Sequence, residues 1–301
     1  MADTFERVHS YHAEATALSG ELRRPLDQII APQAFVKLPE QGGYLAQRSC
    51  EFRVESVLSF RSAYTQVAGN RELKPGHAVT TLATAVVEGL NVLDIVTADL
   101  VVAQIFTEHP LDGYVPRISF LGTRFENLRI EGHPVKLDLD LNLFGNKPEY
   151  DAPYTQSEDF VSRVSDQHAR IREGQSGHPN LLTELLERYN RLPESFESFS
   201  GDEETVECSL VNEVEGSFPG HSCGHVIHVP DFGTVYLATV GLRHSDYVPG
   251  TRIPRKTLLD LTMIDIRMGC ASTGTLLVTQ SITNGSGKPN QPPPPPQQPT
   301  P

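Results

Sequence analysis

The amino-acid sequence predicts a mainly β protein built as antiparallel, sandwich-like β lobes with an inserted helical hairpin. Three features carry that expectation. Apolar and polar residues alternate through several runs; the block 79–106 is dense in β-branched and small residues; and only between 145 and 204 does the apolar spacing turn helical. The expected division is a first β lobe at 1–145, a helical insert and linker at 146–204, a second β lobe at 205–283 and a Pro-rich tail at 284–301. A β-solenoid is the alternative, because the central strands are punctuated by Gly at similar intervals.

Residues 8–18 alternate with a period of two and read as a strand ending at Ser19-Gly20. AFVKLPEQGGYLA (34–46) reads as strand, Pro/Gly turn and return strand, and Cys50 to Ser62 alternates again through Phe52, Val54, Val57 and Phe60. The block VTTLATAVVEGLNVLDIVTADLVVAQIF (79–106) is expected to hold two or three strands, with Glu88-Gly89 and Asp94 as interruptions. In VKLDLDLNLF the residues Val135, Leu137, Leu139, Leu141 and Leu143 share one face, which predicts a half-exposed strand.

Ser157 and Asp159 then open a helix with Phe160, Val164 and Ile171 at helical spacing. A second helix is expected from Pro179 through Leu181, Leu182, Leu185, Leu186 and Tyr189. SFESFSGDEE reads as a linker, and β texture resumes from Thr205 to Ile282. The two β blocks echo each other loosely, ALSGEL…YLA against VNEVEG…YLA, either as pseudo-equivalent units or by chance.

Charge bounds the function. With 25 Lys+Arg against 38 Asp+Glu the formal net charge is −13, which disfavours nucleic acid and anionic membranes as partners. No run approaches the roughly 18 apolar residues of a membrane span, and MADTFERVHSYHAEA lacks the pattern of a secretory signal, so a cytoplasmic location is the default expectation. Cys50, Cys208, Cys223 and Cys270 are expected to be small buried hydrophobes.

The run TTLATAVVEGLNVLDIVTADLVVAQIF followed by FLGTRFENLRIEGHPVKL, with AFVKLPEQGG before it and LTMIDIRMGC…GTLLV after it, resembles the bacterial choice-of-anchor type β-rich proteins. The matching words are Gly89-Leu90, Val96-Thr97-Ala98-Asp99 and Leu128-Arg129-Ile130-Glu131-Gly132. The resemblance implies a β-rich module; the activity of that family is undefined, so it brings no catalytic residues to transfer.

One segment suggests chemistry. In His221-Ser222-Cys223-Gly224-His225-Val226-Ile227-His228, an extended chain places His221, Cys223 and His225 on one face. With His228 they are candidate ligands for zinc or copper, against the alternative of solvated loop histidines. His9 and His12 fall on opposite strand faces, His109 reads as a turn residue and His133 as a hairpin tip. Asp138 and Asp140 share a strand face as a possible carboxylate pair, more simply its wet side. There is no G-x-S-x-G, phosphate loop or H-E-x-x-H.

The tail PPPPPQQPTP suits either a polyproline-binding groove on a partner or a spacer. Two functions follow. The first is a non-enzymatic structural or interaction protein that self-associates as a homo-oligomer or binds a protein partner. The second is a metal-dependent enzyme or small-molecule-binding protein using His221–His228.

Overall fold

The computed structural model describes residues 8–24, 26–71, 79–110, 113–175, 203–269 and 272–288. It is mainly β, and every strand pairing in it is antiparallel. In chain order the principal elements are β1 (Val8–Arg24), β2 (Gly43–Ser49), β3 (Ser62–Arg71), β4 (Val79–Val92), β5 (Val96–His109), α1 (Glu158–Gln175), β6 (Glu203–Ser209), β7 (Gly233–Tyr247), β8 (Pro254–Gly269) and β9 (Thr273–Lys288).

A nine-stranded sheet runs from the hairpin His221–Cys223/Val226–Val229 through β7, β8, β9 and β1 to Gln28–Gln33; β6 shares the outer side of β7 with that hairpin. A ten-stranded sheet runs β2-β3-β4-β5, and short strands line the far side of β5. A third sheet pairs Lys136–Leu139 with Val211–Glu215. Sheet membership does not follow the two sequence blocks, since β1 lies in the sheet built from residues 203–288. The solenoid alternative finds no counterpart among the described residues, and neither sheet closes.

β1 and β9 lie against β3, β4 and β5, and Ser281 Oγ donates across to Ala103 O at 3.4 Å. Inward positions there are mostly small: Ala13, Ala15 and Ala17 on β1, Ala83 and Ala85 on β4, Ala103 on β5. Val67, Val87, Val101, Ile105, Leu18 and Val278 fill the layer around them. Period-two burial is what the alternating sequence dictates when one face of each sheet meets the other.

Where the strands depart from the sequence expectation, local chemistry gives the reason. Gly20 does not stop β1. A Cβ there would sit 2.3 Å from Thr275 O, so the glycine permits close pairing with β9 beside a bulge at Leu18/Gly20. Gly89, at φ +64°, is likewise skipped between the pairs Glu88↔Leu100 and Leu90↔Ala98 inside one long strand. Asp94 is the true turn: its N–H donates to Asn91 Oδ1 and both Leu93 and Asp94 have positive φ. The run Cys50–Ser62 folds into a hairpin that stacks Phe52 on Phe60.

The half-exposed strand expected through Phe144 ends at Leu139. There the Asp140 carboxylate accepts from Asn142 N–H and the chain turns, burying Leu143 and Phe144. The first expected helix is α1. The second, Cys270 and residues 289–301 of the expected tail lie outside the described residues, whereas the first five residues of that tail, 284–288, continue β9 in its pairing with β1. The two echoing blocks take different places: Tyr44-Leu45-Ala46 is an exposed edge strand, whereas Tyr236-Leu237-Ala238 is buried within β7.

Candidate functional site

The histidine-rich segment forms a hairpin whose register places His221 opposite His228 and Cys223 opposite Val226. The His221 and His228 rings lie 5.2 Å apart. Gly224, at φ +57°, and His225 make the turn; His225 and Cys223 are both buried. Burial alone pushes the Cys223 thiol up, which opposes thiolate formation. The hairpin therefore brings two of the four candidate ligands together as a cross-strand pair. No group of three or more His, Cys, Asp or Glu side chains arranged to hold a metal ion occurs among the described residues.

Other expectations are redistributed. His109, expected in a turn, is the buried last residue of β5 and packs on His9, which in turn meets Tyr11 edge-on. Packing of one sheet on the other, invisible in sequence, joins those distant positions. His133 does sit at an exposed hairpin. Asp138 and Asp140 are not a carboxylate pair: Asp138 accepts from Asn212 and Asp140 pairs with Arg163 at 2.9 Å. Cys208 and Cys223 are buried as expected, but Cys50 is exposed.

The densest buried polar network was not legible in sequence. Tyr154 N–H donates to His244 Nε2 (3.1 Å), so the neutral ring carries its proton on Nδ1, facing Thr257 Oγ1 at 3.0 Å. Burial holds the His244 pKa down to about 3. Nearby, the Glu204 carboxylate is 3% exposed; it accepts from Thr155 Oγ1 and pairs with Arg252 at 3.2 Å. These contacts fasten the segment before α1 onto β6 and β7.

α1 then seals the outer edge of β6. Gln167 imitates a strand neighbour: its Nε2 donates to Ser209 O (2.7 Å) and its Oε1 accepts from Ser209 N–H (3.0 Å). His168 Nε2 donates to Glu207 O at 3.1 Å, two residues along the same edge. Burial lowers the His168 pKa to about 4, against a raising effect of that bond. Arg163 and Arg170 donate to Asn142 O and Asn212 O. Gln167 and Ser209 are 42 residues apart in sequence, and only the fold pairs them.

The ten-stranded sheet is different on its outer face. Inward residues of β3 (Ala63, Thr65, Val67) alternate with outward Tyr64, Gln66 and Ala68. The ladder aligns outward residues in rows: Tyr44, Ala68, Leu82, Phe106 and, beside them, Ala46, Gln66, Thr84, Gln104. None of these eight side chains carries a charge, in a chain whose net charge is −13. Tyr44 is 62% exposed and Phe106 36%. Arg48, Arg124, Glu88 and Glu108 flank the rows. The hydroxyls of Tyr44 and Tyr64 lie 3.2 Å apart, and Tyr64 donates to Gln66 Oε1 at 2.6 Å, so the aromatic side chains are held in place.

The open flank of this face is β2. It pairs only with β3, and among the described residues no hydrogen bond engages its other edge. An uncharged centre, with one mainly apolar and one mainly polar row, between charged flanks is the composition of a protein-binding surface.

The model of one protein family, described as a domain of unknown function (DUF8256), matches residues 9–243. The chain belongs to that family. The match runs from β1 into β7 and so takes in the outer face, its open edge and α1. No curated protein and no solved structure matches this DUF8256 chain. No helix among its described residues is long and apolar enough to cross a membrane.

Proposed function

We propose that this DUF8256 protein is a non-enzymatic interaction protein: a sandwich-like β scaffold that binds another protein chain through the outer face of its ten-stranded sheet. The observation that carries the reading is the uncharged double row from Tyr44 to Phe106 and from Ala46 to Gln104. An acidic chain repels most acidic partners over most of its surface, and this strip is where that repulsion is least. The aromatic side chains Tyr44 and Phe106 at the two ends of the first row bury large area at low entropic cost.

The test is light scattering of the full chain across a concentration series, alongside Ala46→Glu at the open end of the rows and, separately, Leu82→Asp/Phe106→Asp within them. Association by the parent chain, lost in one or the other variant with its circular dichroism unchanged, is expected. A parent chain that stays monomeric at every concentration, or one whose association ignores all three substitutions, overturns the reading.

A further inference from the structure

We propose that the partner is a second copy of the same chain, joined edge to edge through β2, with the two strands antiparallel about a two-fold axis at Ala46. The inference deepens the reading above and rests on it, since β2 is the open flank of the same face.

Four observations carry it. First, apart from the single charge of Arg48, β2 lacks the devices that protect an edge. Its seven residues, Gly43-Tyr44-Leu45-Ala46-Gln47-Arg48-Ser49, include no Pro, no Lys and no acid, and its ladder with β3 runs Gly43↔Gly69 to Ser49↔Ala63 without a bulge. Second, β2 is exposed on both faces: Tyr44 on the outer side is 62% exposed and Leu45 on the other is 41% exposed. A strand added there covers apolar surface on both sides.

Third, charge selects the partner and the register. A chain of net charge −13 meets its own copy at least cost where it carries no acid. With the axis at Ala46, Leu45 lies opposite the partner's Gln47, and Tyr44 opposite the partner's Arg48, a guanidinium beside an aromatic ring. Arg48 and the partner's Arg48 are then four residues apart along the strands, about 13 Å, and do not oppose each other. Fourth, a shallow depression of 350 Å3 lies on this edge, lined by Ala46, Gln47, Arg48 and Tyr64. Three of its four lining residues are consecutive on β2, and the register brings the partner's Tyr44 opposite one of them, Arg48. The paired sheets form one continuous sheet of twice ten strands.

The register makes a sharp test, because a residue on the two-fold axis meets itself. Ala46 is exposed, so Ala46→Glu and Ala46→Lys leave the fold intact, which circular dichroism checks. Light scattering of the full chain is expected to give twice 33.2 kDa for the parent. Each single variant places like charges face to face and loses the dimer, and an equimolar mixture of the two restores it. A parent dimer indifferent to both variants, but dissociated by Leu82→Asp/Phe106→Asp, overturns the edge pairing and leaves the face as a binding surface. Loss in each variant without recovery in the mixture overturns the axis at Ala46. A monomeric parent overturns both.

Discussion

The two sheets treat their edges in opposite ways. β6, on the edge of the nine-stranded sheet, has the backbone groups at its C-terminal end taken up by α1, with Gln167 standing in for a strand at Ser209 and His168 capping Glu207 O. β2, on the edge of the ten-stranded sheet, is bare. Both strands are seven residues long, so length is not the difference. An edge presents a row of unsatisfied donors and acceptors, and a protein either covers that row or leaves it as a template. One sheet here has both its inner face and this edge engaged within the chain. The other offers an outer face and an edge to something else.

The largest expected effect comes from uncovering the sealed edge. Gln167→Ala leaves the buried N–H and C=O of Ser209 unpaired, which costs about 2–4 kcal/mol, read by urea denaturation. Gln167→Glu sharpens the point: an ionised carboxylate brings a buried charge up against Ser209 O with no hydrogen to donate, so a loss at least as large is expected at neutral pH. A loss under about 0.5 kcal/mol for Gln167→Ala, the size of an ordinary surface change, would mean that the helix is not what seals β6.

Acid loosens the same side. His168 and His244 are neutral in the fold, with pKa values near 4 and 3, whereas the unperturbed imidazole takes up its proton near 6.5. On acidification the unfolded chain is protonated first. The stability these groups permit is therefore complete above about pH 6.5 and falls as the pH drops toward 4 and then 3. At pH 5 each accounts for up to about 2 kcal/mol of lost stability. Urea midpoints measured from pH 7.5 to 4.5 should fall, and less steeply in His168→Gln and His244→Gln. Equal slopes in parent and variants would show that other groups govern the acid limb.

The smallest effect on stability is expected at the bare edge. Leu45→Lys and Ala46→Glu should change the urea midpoint by no more than about 0.5 kcal/mol equivalent, while abolishing association in light scattering. Substantial destabilisation by either would show that β2 is engaged within the chain and that the contrast between the edges is false.

Much of the architecture was legible because burial follows the strand period. Val79–His109 reads as long strands from its β-branched content, and α1 reads from the spacing of Phe160, Val164 and Ile171. Glycine was the misleading signal. Gly20 and Gly89 look like stops, but they serve close approach and a bulge within continuous strands, and that depends on what lies across the sheet.

The candidate surface was less legible. Tyr44, Ala68, Leu82 and Phe106 come from four strands, and only the ladder aligns them. The histidine-rich segment drew attention because its residues are adjacent in sequence, yet the hairpin pairs only His221 with His228. Conversely Gln167, His244 and Glu204 are unremarkable in sequence. Their burial beside distant backbone groups creates the network, and its distances of 42 to 90 residues along the chain leave no local pattern.

Amide hydrogen exchange read at increasing protein concentration tests the contrast most directly. Amides of 43–49 should become slower to exchange as concentration rises, as association covers them, while that of Ser209 stays protected throughout because Gln167 of α1 already accepts from it. Fast exchange over 43–49 that does not change with concentration, or protection at Ser209 that does, would contradict the account.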